Sequence, residues 1–343
     1  VPELEGLGDF AGNLVHTARW AESVPLAGRR VGIIGTGSSA VQTVGAVVEE
    51  VASLSLFQRT AQWVLPQDNP PYTDEEKAAF RADPDSQRRL HDEISELFAD
   101  GFANAVVDAE SPVLARIAEL CQANLDTVVD KELRERLTPD HRAACKRLVI
   151  SENFYEAIQH PNARLVTNRI DRIVSDGVLT SDGEVHQLDV LVLATGFRVD
   201  QFMRPMEIVG PAGTRLSEAW ADRPTAYLSM AVPGLPNLFM LNGPNGPVGN
   251  FSLIEVAELQ MEYALQLVDQ IANGSCRLIE PTPGATTAEE EARTKAAGRT
   301  VWATGCNSWY LDDRGVPMVW PWTFREFQRR MAAPDLDHYS LAE

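Results

Sequence analysis

Long apolar runs, paired cysteines and positive charge are all scarce in this chain of 343 residues. No apolar stretch approaches the ~20 residues that a membrane helix requires, and no signal-peptide pattern is read at its start. Cys121, Cys145, Cys276 and Cys306 stand far apart, without a Cys-x-x-Cys pair. That spacing excludes a zinc ribbon and a dithiol redox motif, and it suits a reducing cytoplasm. Basic residues number 30 against 49 acidic ones, for a formal charge of −19. A field of that sign repels phosphate backbones, so neither nucleic acid nor an anionic membrane is expected as a partner.

The remaining composition is globular, with 44% hydrophobic and 23% charged residues. At ~150 residues per domain the length suggests two or three domains. Such a chain buries a core without needing a disulfide or a metal.

Val31-Gly-Ile-Ile-Gly35 reads as a short buried strand, followed by a glycine turn. Ser39 to Val51 carries Ala40, Val41, Val44, Val47 and Val48 at helical spacing, and Ser53 to Phe57 reads as the next strand. Strand, turn, helix and strand in that order open a doubly wound α/β sheet. Pro66 to Thr73 breaks the pattern. The charged text from 74 to 137 is helical and is expected as an insertion. Strand signals return from Ala163, with turns at Asp176-Gly177 and Asp182-Gly183. They end in Asp189-Val-Leu-Val-Leu193, whose uninterrupted apolar run predicts a strand buried on both faces. A further strand is expected at Leu238 to Leu241. A long helix is expected from about Ser252 to Ala272, stopped by Asn273-Gly274.

Gly35-Thr-Gly37-Ser-Ser-Ala40 has the form of a dinucleotide turn, with Ala in the third small position. The first glycine permits the tight turn, the second lets backbone approach a pyrophosphate, and Ala40 keeps the helix close to the strand. Thr36, Ser38, Ser39 and Gln42 then lie around the helix N-terminus, where unpaired N–H groups and the positive dipole end favour phosphate. The second strand ends in Gln58-Arg59-Thr60, where an NAD site usually places an acid for the ribose hydroxyls. Arg59 there suits a 2′-phosphate and so NADP; a solvated strand-end charge is the alternative.

Phe10-x-Gly12-x-x-x-His16-x-x-x-Trp20, just ahead of that turn, resembles the fingerprint of Baeyer–Villiger monooxygenases, which belong to the class B flavoprotein monooxygenases. Ala21 stands where the family usually has Pro or Asp. Phe57-Gln-Arg-Thr-Ala-Gln-Trp63-Val, Cys145-Lys-Arg147, Leu193-Ala-Thr-Gly-Phe197, Asn242-Gly-Pro-Asn245 and Ser308-Trp-Tyr310 are similar to the family in the same order. The matches run from Phe10 to about Trp320.

The resemblance implies FAD and NADP as cofactors. The implied reaction inserts one oxygen atom of O2 beside a ketone carbonyl, giving an ester or lactone through a C4a-peroxyflavin; a sulfide is the other small-molecule substrate expected. It makes Arg147 the active-site arginine, whose permanent charge would keep an anionic oxygen nucleophilic. Lys146 would join Arg59 and Thr60 at the 2′-phosphate. Ala194, Thr195 and Gly196 would form a small turn passing close to cofactor. The helix start at Asn250 and Phe251 would face the flavin pyrimidine, and Trp309 would contact the nicotinamide nucleotide. His16 is a hinge residue in this reading, without a catalytic role. No metal is implied.

The implied organisation is a linker with the fingerprint over 1–21 and a Rossmann-like NADP-binding domain over 22–72 and 142–195. The helical insertion covers 73–141, and residues 196–343 are the C-terminal part of a second, FAD-binding α/β domain. Family members carry two dinucleotide turns, and the turn at Gly35 corresponds to the second. The expectation is the C-terminal two-thirds of such an enzyme, with the N-terminal FAD-binding segment cut away or carried by another chain. Two alternatives stand beside this one: an N- or S-oxygenating flavin monooxygenase, and a silent NADP-binding fragment. A disulfide reductase is disfavoured because no redox cysteine pair is read.

Overall fold

The structure, a computed structural model, describes residues 2–21, 23–199 and 201–343. Val1, Glu22 and Asp200, which the expected domain spans include, lie outside the described residues. The chain divides into two compact units. The first comprises Val1–Pro70, Arg116–Ala143 and Leu148–Phe197; the second comprises Pro71–Ala115, Ala144–Arg147 and Arg198–Glu343.

The first unit is built on five parallel strands. These are β1 (Asn13–His16), β2 (Arg30–Ile34), β3 (Ser53–Phe57), β6 (Ala163–Val166) and β10 (Val190–Leu193), in the order β1-β10-β2-β3-β6. Two-residue strands β4 (Val64–Leu65) and β5 (Val149–Ile150) pair beside them. Alternation along the sheet shows why β10 reads as an unbroken apolar run. Val190 and Val192 join Val31, Ile33, Leu54 and Leu56 on one face, under helices α1 (Ser38–Val47) and α6 (Phe154–Ile158). Leu191 and Leu193 join Phe57 and Val166 on the other face. That face is covered by the antiparallel strands β7 (Ile170–Val174), β8 (Gly177–Thr180) and β9 (Val185–Gln187), through Ile173 and Val178. With both faces covered, a polar residue in β10 would be buried without a partner.

Helices α2 (Asp74–Ala82) and α3 (Pro84–Phe98) follow the break at Pro66 to Thr73, and neither buries a residue. Their ends are set locally instead. Thr73 and Glu76 form a reciprocal capping box at the start of α2, and Asp83 caps α3 with Pro84 at its first position. Helices α4 (Pro112–Leu125) and α5 (Lys131–Leu137) complete the helical stretch.

The second unit packs around α8 (Leu253–Ala272). Its Val256, Tyr263, Ala264 and Leu267 bury against Trp320 and against Phe324, Phe327 and Met331 of α10 (Phe324–Met331). Strands β11 (Leu278–Pro281) and β12 (Tyr339–Ala342) pair antiparallel. Tyr339 brings its hydroxyl 3.0 Å from that of Tyr263. The short α7 (Leu216–Ala219) and the longer α9 (Pro283–Ala297) flank this core. Ser252 caps α8, and Gly274 follows it at φ 81°, as the Asn-Gly stop predicts.

The strand expected at Leu238 to Leu241 does not form. Leu238 and Met240 face one apolar cluster and Phe239 another, so the alternation is real. No named strand runs beside them, and Met240 makes a single backbone bond to Met230, at 2.8 Å.

Candidate functional site

The turn after β2 is the best-defined feature of the first unit. Gly35 has φ 121°, and a Cβ there would overlap the carbonyl oxygen of Ala194. The Ala194 N–H in turn donates to the Ile34 carbonyl at 2.9 Å, which holds the end of β10 against the turn. Gly37 is the opposite case, since nothing occupies the space its side chain would fill. It is also the N-cap of α1 and supplies no capping side chain. The first N–H groups of α1 therefore have no side-chain cap, and the positive dipole end lies behind them. Ser38 and Ser39 form that first turn, Gln42 is exposed one turn on, and Ala40 is fully buried where the helix meets the sheet.

Thr36 Oγ1 donates to the Thr60 carbonyl at 2.7 Å, so the turn is tied to the end of β3. Arg59, the residue before Thr60, is exposed and without an ion pair among the described residues. Its neighbour Gln58 is buried and donates to the Arg136 carbonyl at 2.6 Å. The carboxyl edge of the sheet thus gathers open space beside Gly37, a helix N-terminus and a cation without an ion pair among the described residues. Thr195 and Gly196, the latter at φ 82°, continue exposed from Ala194.

The fingerprint segment has a structural explanation. A Cβ on Gly12 would overlap both the Asp189 carbonyl oxygen and the Phe10 ring. Phe10 packs on the strand-covered face of the sheet. His16 ends β1, accepts from the Ala18 N–H at 3.2 Å and packs edge-on to Phe197. Trp20 is partly exposed.

In the second unit, Lys146 and Arg147 follow a buried cysteine that the sequence shows no means of pairing. Cys145 and Cys306 nevertheless form a disulfide, with Cα atoms 6.2 Å apart across 161 residues of chain. Sequence distance hid this pair, because the chain between the two cysteines runs through Leu148–Phe197 of the first unit before it returns to the second. The bridge ties the Lys146-Arg147 segment to the loop carrying Trp309 and Tyr310. Arg147 is exposed, and its charge is felt by the Tyr310 hydroxyl, which burial pushes up and the arginine draws down. Trp309 is 41% exposed and stacks on Tyr310 with ring centres 4.0 Å apart.

Asn250 is fully buried, and neither its Oδ1 nor its Nδ2 has a partner. The Phe251 ring is turned into the core against Phe324, with ring centres 4.8 Å apart. Asn242 went unnoticed as a site residue in the sequence. It adopts φ 52°, and its Oδ1 is also buried without a partner. An Asn ahead of Gly-Pro was the available signal, since Asn tolerates the left-handed region better than most residues. An open cleft of about 620 Å³ lined by Tyr72, Phe80, Leu90 and Ile94 contains none of these residues. No cluster of metal-binding side chains occurs among the described residues. No helix there is long and apolar enough to cross a membrane.

No family model matches the chain. An uncharacterized monooxygenase of Mycobacterium tuberculosis is 42% identical over 343 residues, covering 99% of this chain and 68% of the relative. A Baeyer-Villiger monooxygenase of Streptomyces coelicolor is 34% identical over 348 residues, covering 99% of this chain and 66% of the relative. The crystal structure of cyclohexanone monooxygenase from Rhodococcus sp. Phi1, bound to NADP+, superposes with a TM-score of 0.85 at 30% identity. It is matched over 100% of this chain and 72% of its own.

The chain belongs to the Baeyer–Villiger monooxygenase family.

Membership in this family of flavin monooxygenases bears out the resemblance carried by Phe10, Gly12, His16 and Trp20. The α/β fold with its parallel sheet is the cyclohexanone monooxygenase fold over the part the chain spans.

Proposed function

We propose that the protein is an NADPH- and FAD-dependent monooxygenase that converts a ketone to an ester or lactone. The balanced reaction consumes NADPH, a proton, O2 and the ketone, and releases NADP+, water and the oxygenated product. The observation that carries the nucleotide half is the turn at Gly35 and Gly37. Its open space, bare helix N-terminus and adjacent Arg59 fit a dinucleotide bearing a 2′-phosphate.

In this reading Gly37 and the N–H groups of Ser38, Ser39 and Ala40 bind the pyrophosphate. Gln42 lines the same helix face, and Arg59 with Thr60 binds the 2′-phosphate. Ala194, Thr195 and Gly196 form the other wall of the turn, since Ala194 is already packed on Gly35. Lys146 keeps its assignment as a phosphate-binding cation. The residues that would meet the flavin ring are Asn250, the backbone at Phe251, and Arg147. The orphaned amide of Asn250 fits a hydrogen-bonding ring edge. FAD, when bound, supplies two-electron transfer from the nicotinamide and reaction with O2. Arg147 stabilises negative charge on the oxygen being transferred, because a guanidinium stays protonated throughout. Trp309 offers an exposed aromatic face for a nicotinamide or a substrate ring.

The test is a visible spectrum of the protein equilibrated with FAD, taken under argon and then in air with a ketone. Bleaching by NADPH, recolouring in air and recovery of an ester or lactone support the reading. NADPH oxidation with every ketone in a broad panel recovered unchanged overturns it. Oxygenation of amines or sulfides alone assigns the protein to the heteroatom-oxidising branch.

A further inference from the structure

Lys146 and Arg147 are placed by a very short piece of chain. Residues Ala144–Arg147 count with the second unit, whereas the chain up to Ala143 and from Leu148 counts with the first. Neither Lys146 nor Arg147 makes an ion pair or a side-chain hydrogen bond among the described residues. Ala144 is buried and held at φ 66°, a left-handed conformation that alanine disfavours. A segment with so few polar contacts of its own needs a tether, and the Cys145–Cys306 bond is a covalent one.

The far end of the tether is a loop that bears on the same side chains. Cys306 follows Gly305, which has φ 96°, and lies three residues before Trp309 and four before Tyr310. The Arg147 charge reaches the Tyr310 hydroxyl, so both ends of the bridge lead to one group of residues. Cys145 is fully buried, whereas Cys306 keeps 7% of its surface and is flanked by exposed Gly305 and Asn307. A thiol reagent therefore meets Sγ of Cys306 first, since access selects the sulfur that is attacked.

We propose that the Cys145–Cys306 bond is a thiol–disulfide switch: its oxidised form holds the Lys146–Arg147 segment in the second unit, and its reduced form releases it. The reductant is a dithiol. One of its thiolates attacks Cys306 Sγ, and the S–S bond breaks with its electron pair on Cys145 Sγ, which takes up a proton. The second thiolate of the reagent then displaces Cys306, which is protonated in turn, and a cyclic disulfide leaves. Two electrons and two protons pass from the dithiol to the protein. In the reduced form Ala144 is free to leave its left-handed conformation, and Arg147 is no longer fixed relative to Tyr310. The inference deepens the proposed function by adding regulation of the Arg147 site, and it rests on that reading only for its effect on oxygen transfer.

Limited trypsin digestion of the full chain reads the release directly, because Lys146 and Arg147 are themselves cleavage points. Native protein is digested either oxidised or after treatment with dithiothreitol and removal of the reagent, and the fragments are mapped by mass spectrometry. Cleavage after Lys146 or Arg147 is expected to be about tenfold faster or more in the reduced protein, because proteolysis follows the population of the open segment. Other cleavage points should keep their rates, and reoxidation with oxidised glutathione should restore the slow rate. Cys306→Ser is expected to be cleaved like the reduced protein and to ignore the dithiol. An equal rate at these two bonds, a rise at every lysine and arginine alike, or a bridge that resists the dithiol in the folded protein overturns the inference. With FAD, NADPH and a ketone present, the ester or lactone formed per NADPH should fall about tenfold or more on reduction, as expected for one misplaced group. A retained yield in the reduced form also overturns it. Absence of product from both forms counts against the oxygenase reading alone, because the cleavage contrast needs neither flavin nor ketone.

Discussion

The carbonyl oxygen of Ala194 occupies the place where a side chain on Gly35 would stand. Two strand ends that are 159 residues apart in sequence, at Gly35 and Ala194, thereby meet at one carboxyl edge. The Ala194 N–H on Ile34 fixes that contact from the other side.

Gly35→Ala is expected to destabilise the first unit, since it places a side chain at φ 121° and into the Ala194 carbonyl. Backbone strain of this kind costs about 1–3 kcal/mol. Thermal melting should show the loss, and calorimetry should show NADP+ binding abolished or severely weakened. A variant that melts and binds like the parent contradicts the assigned geometry.

Arg59→Ala is expected to weaken NADP+ by about 10- to 100-fold, the range for one charge-assisted bond to phosphate. NAD+ affinity should change little, because it has no 2′-phosphate. Parallel titrations with the two nucleotides measure the ratio directly. Equal losses for both would mean that Arg59 acts through the fold instead.

The sequence made this half of the molecule legible because the physics is local. A glycine turn between two apolar strands has few folds open to it, and the run from Val190 to Leu193 announces burial on both faces. Long-range features were not legible. Nothing near Cys145 points to Cys306, and the alternation at Leu238 to Met240 carries no sign that a neighbouring strand is missing. The unmatched amide of Asn250 is also invisible in sequence, since burial and the absence of partners are properties of the packed chain. The cover over the second sheet face was legible as turns at Asp176-Gly177 and Asp182-Gly183, though not as a cover.

The Arg30–Asp189 pair predicts an acid response. Three hydrogen bonds from Arg30, at 2.7, 2.9 and 3.2 Å, hold the Asp189 carboxyl down to about 2, from an ordinary value of 3.8. The folded value is the lower one, so the stabilisation is fully present above 3.8. It is lost as pH falls from there through about 2. Both side chains are about a third or more exposed, so the contribution is modest and screened by salt. Asp189→Asn should flatten this part of the stability–pH curve, measured by denaturant unfolding. An unchanged slope contradicts the assignment.

The Cys145–Cys306 bridge closes a long loop, so replacing both cysteines by alanine should cost about 2–5 kcal/mol. Alkylation before reduction should label Cys121 and Cys276 at most, once the protein is unfolded. Peptide mapping without reductant should recover Cys145 joined to Cys306. Four alkylated cysteines in the untreated protein contradict the pairing.

Arg147→Ala should leave nucleotide-driven bleaching of bound flavin intact while product formation falls by a hundredfold or more, about the effect of removing one group that stabilises developing charge. Stopped-flow absorbance and product analysis read the two steps separately. Retained product yield removes Arg147 from the oxygen-transfer step.

The most direct test of the account is isotopic. The protein equilibrated with FAD is supplied with NADPH, cyclohexanone and 18O2, and the product is examined by mass spectrometry. The account predicts a lactone carrying one labelled oxygen in the ring, formed with NADPH and not with NADH at the same concentration. Unlabelled product, or NADPH consumption that leaves every ketone intact, would contradict it.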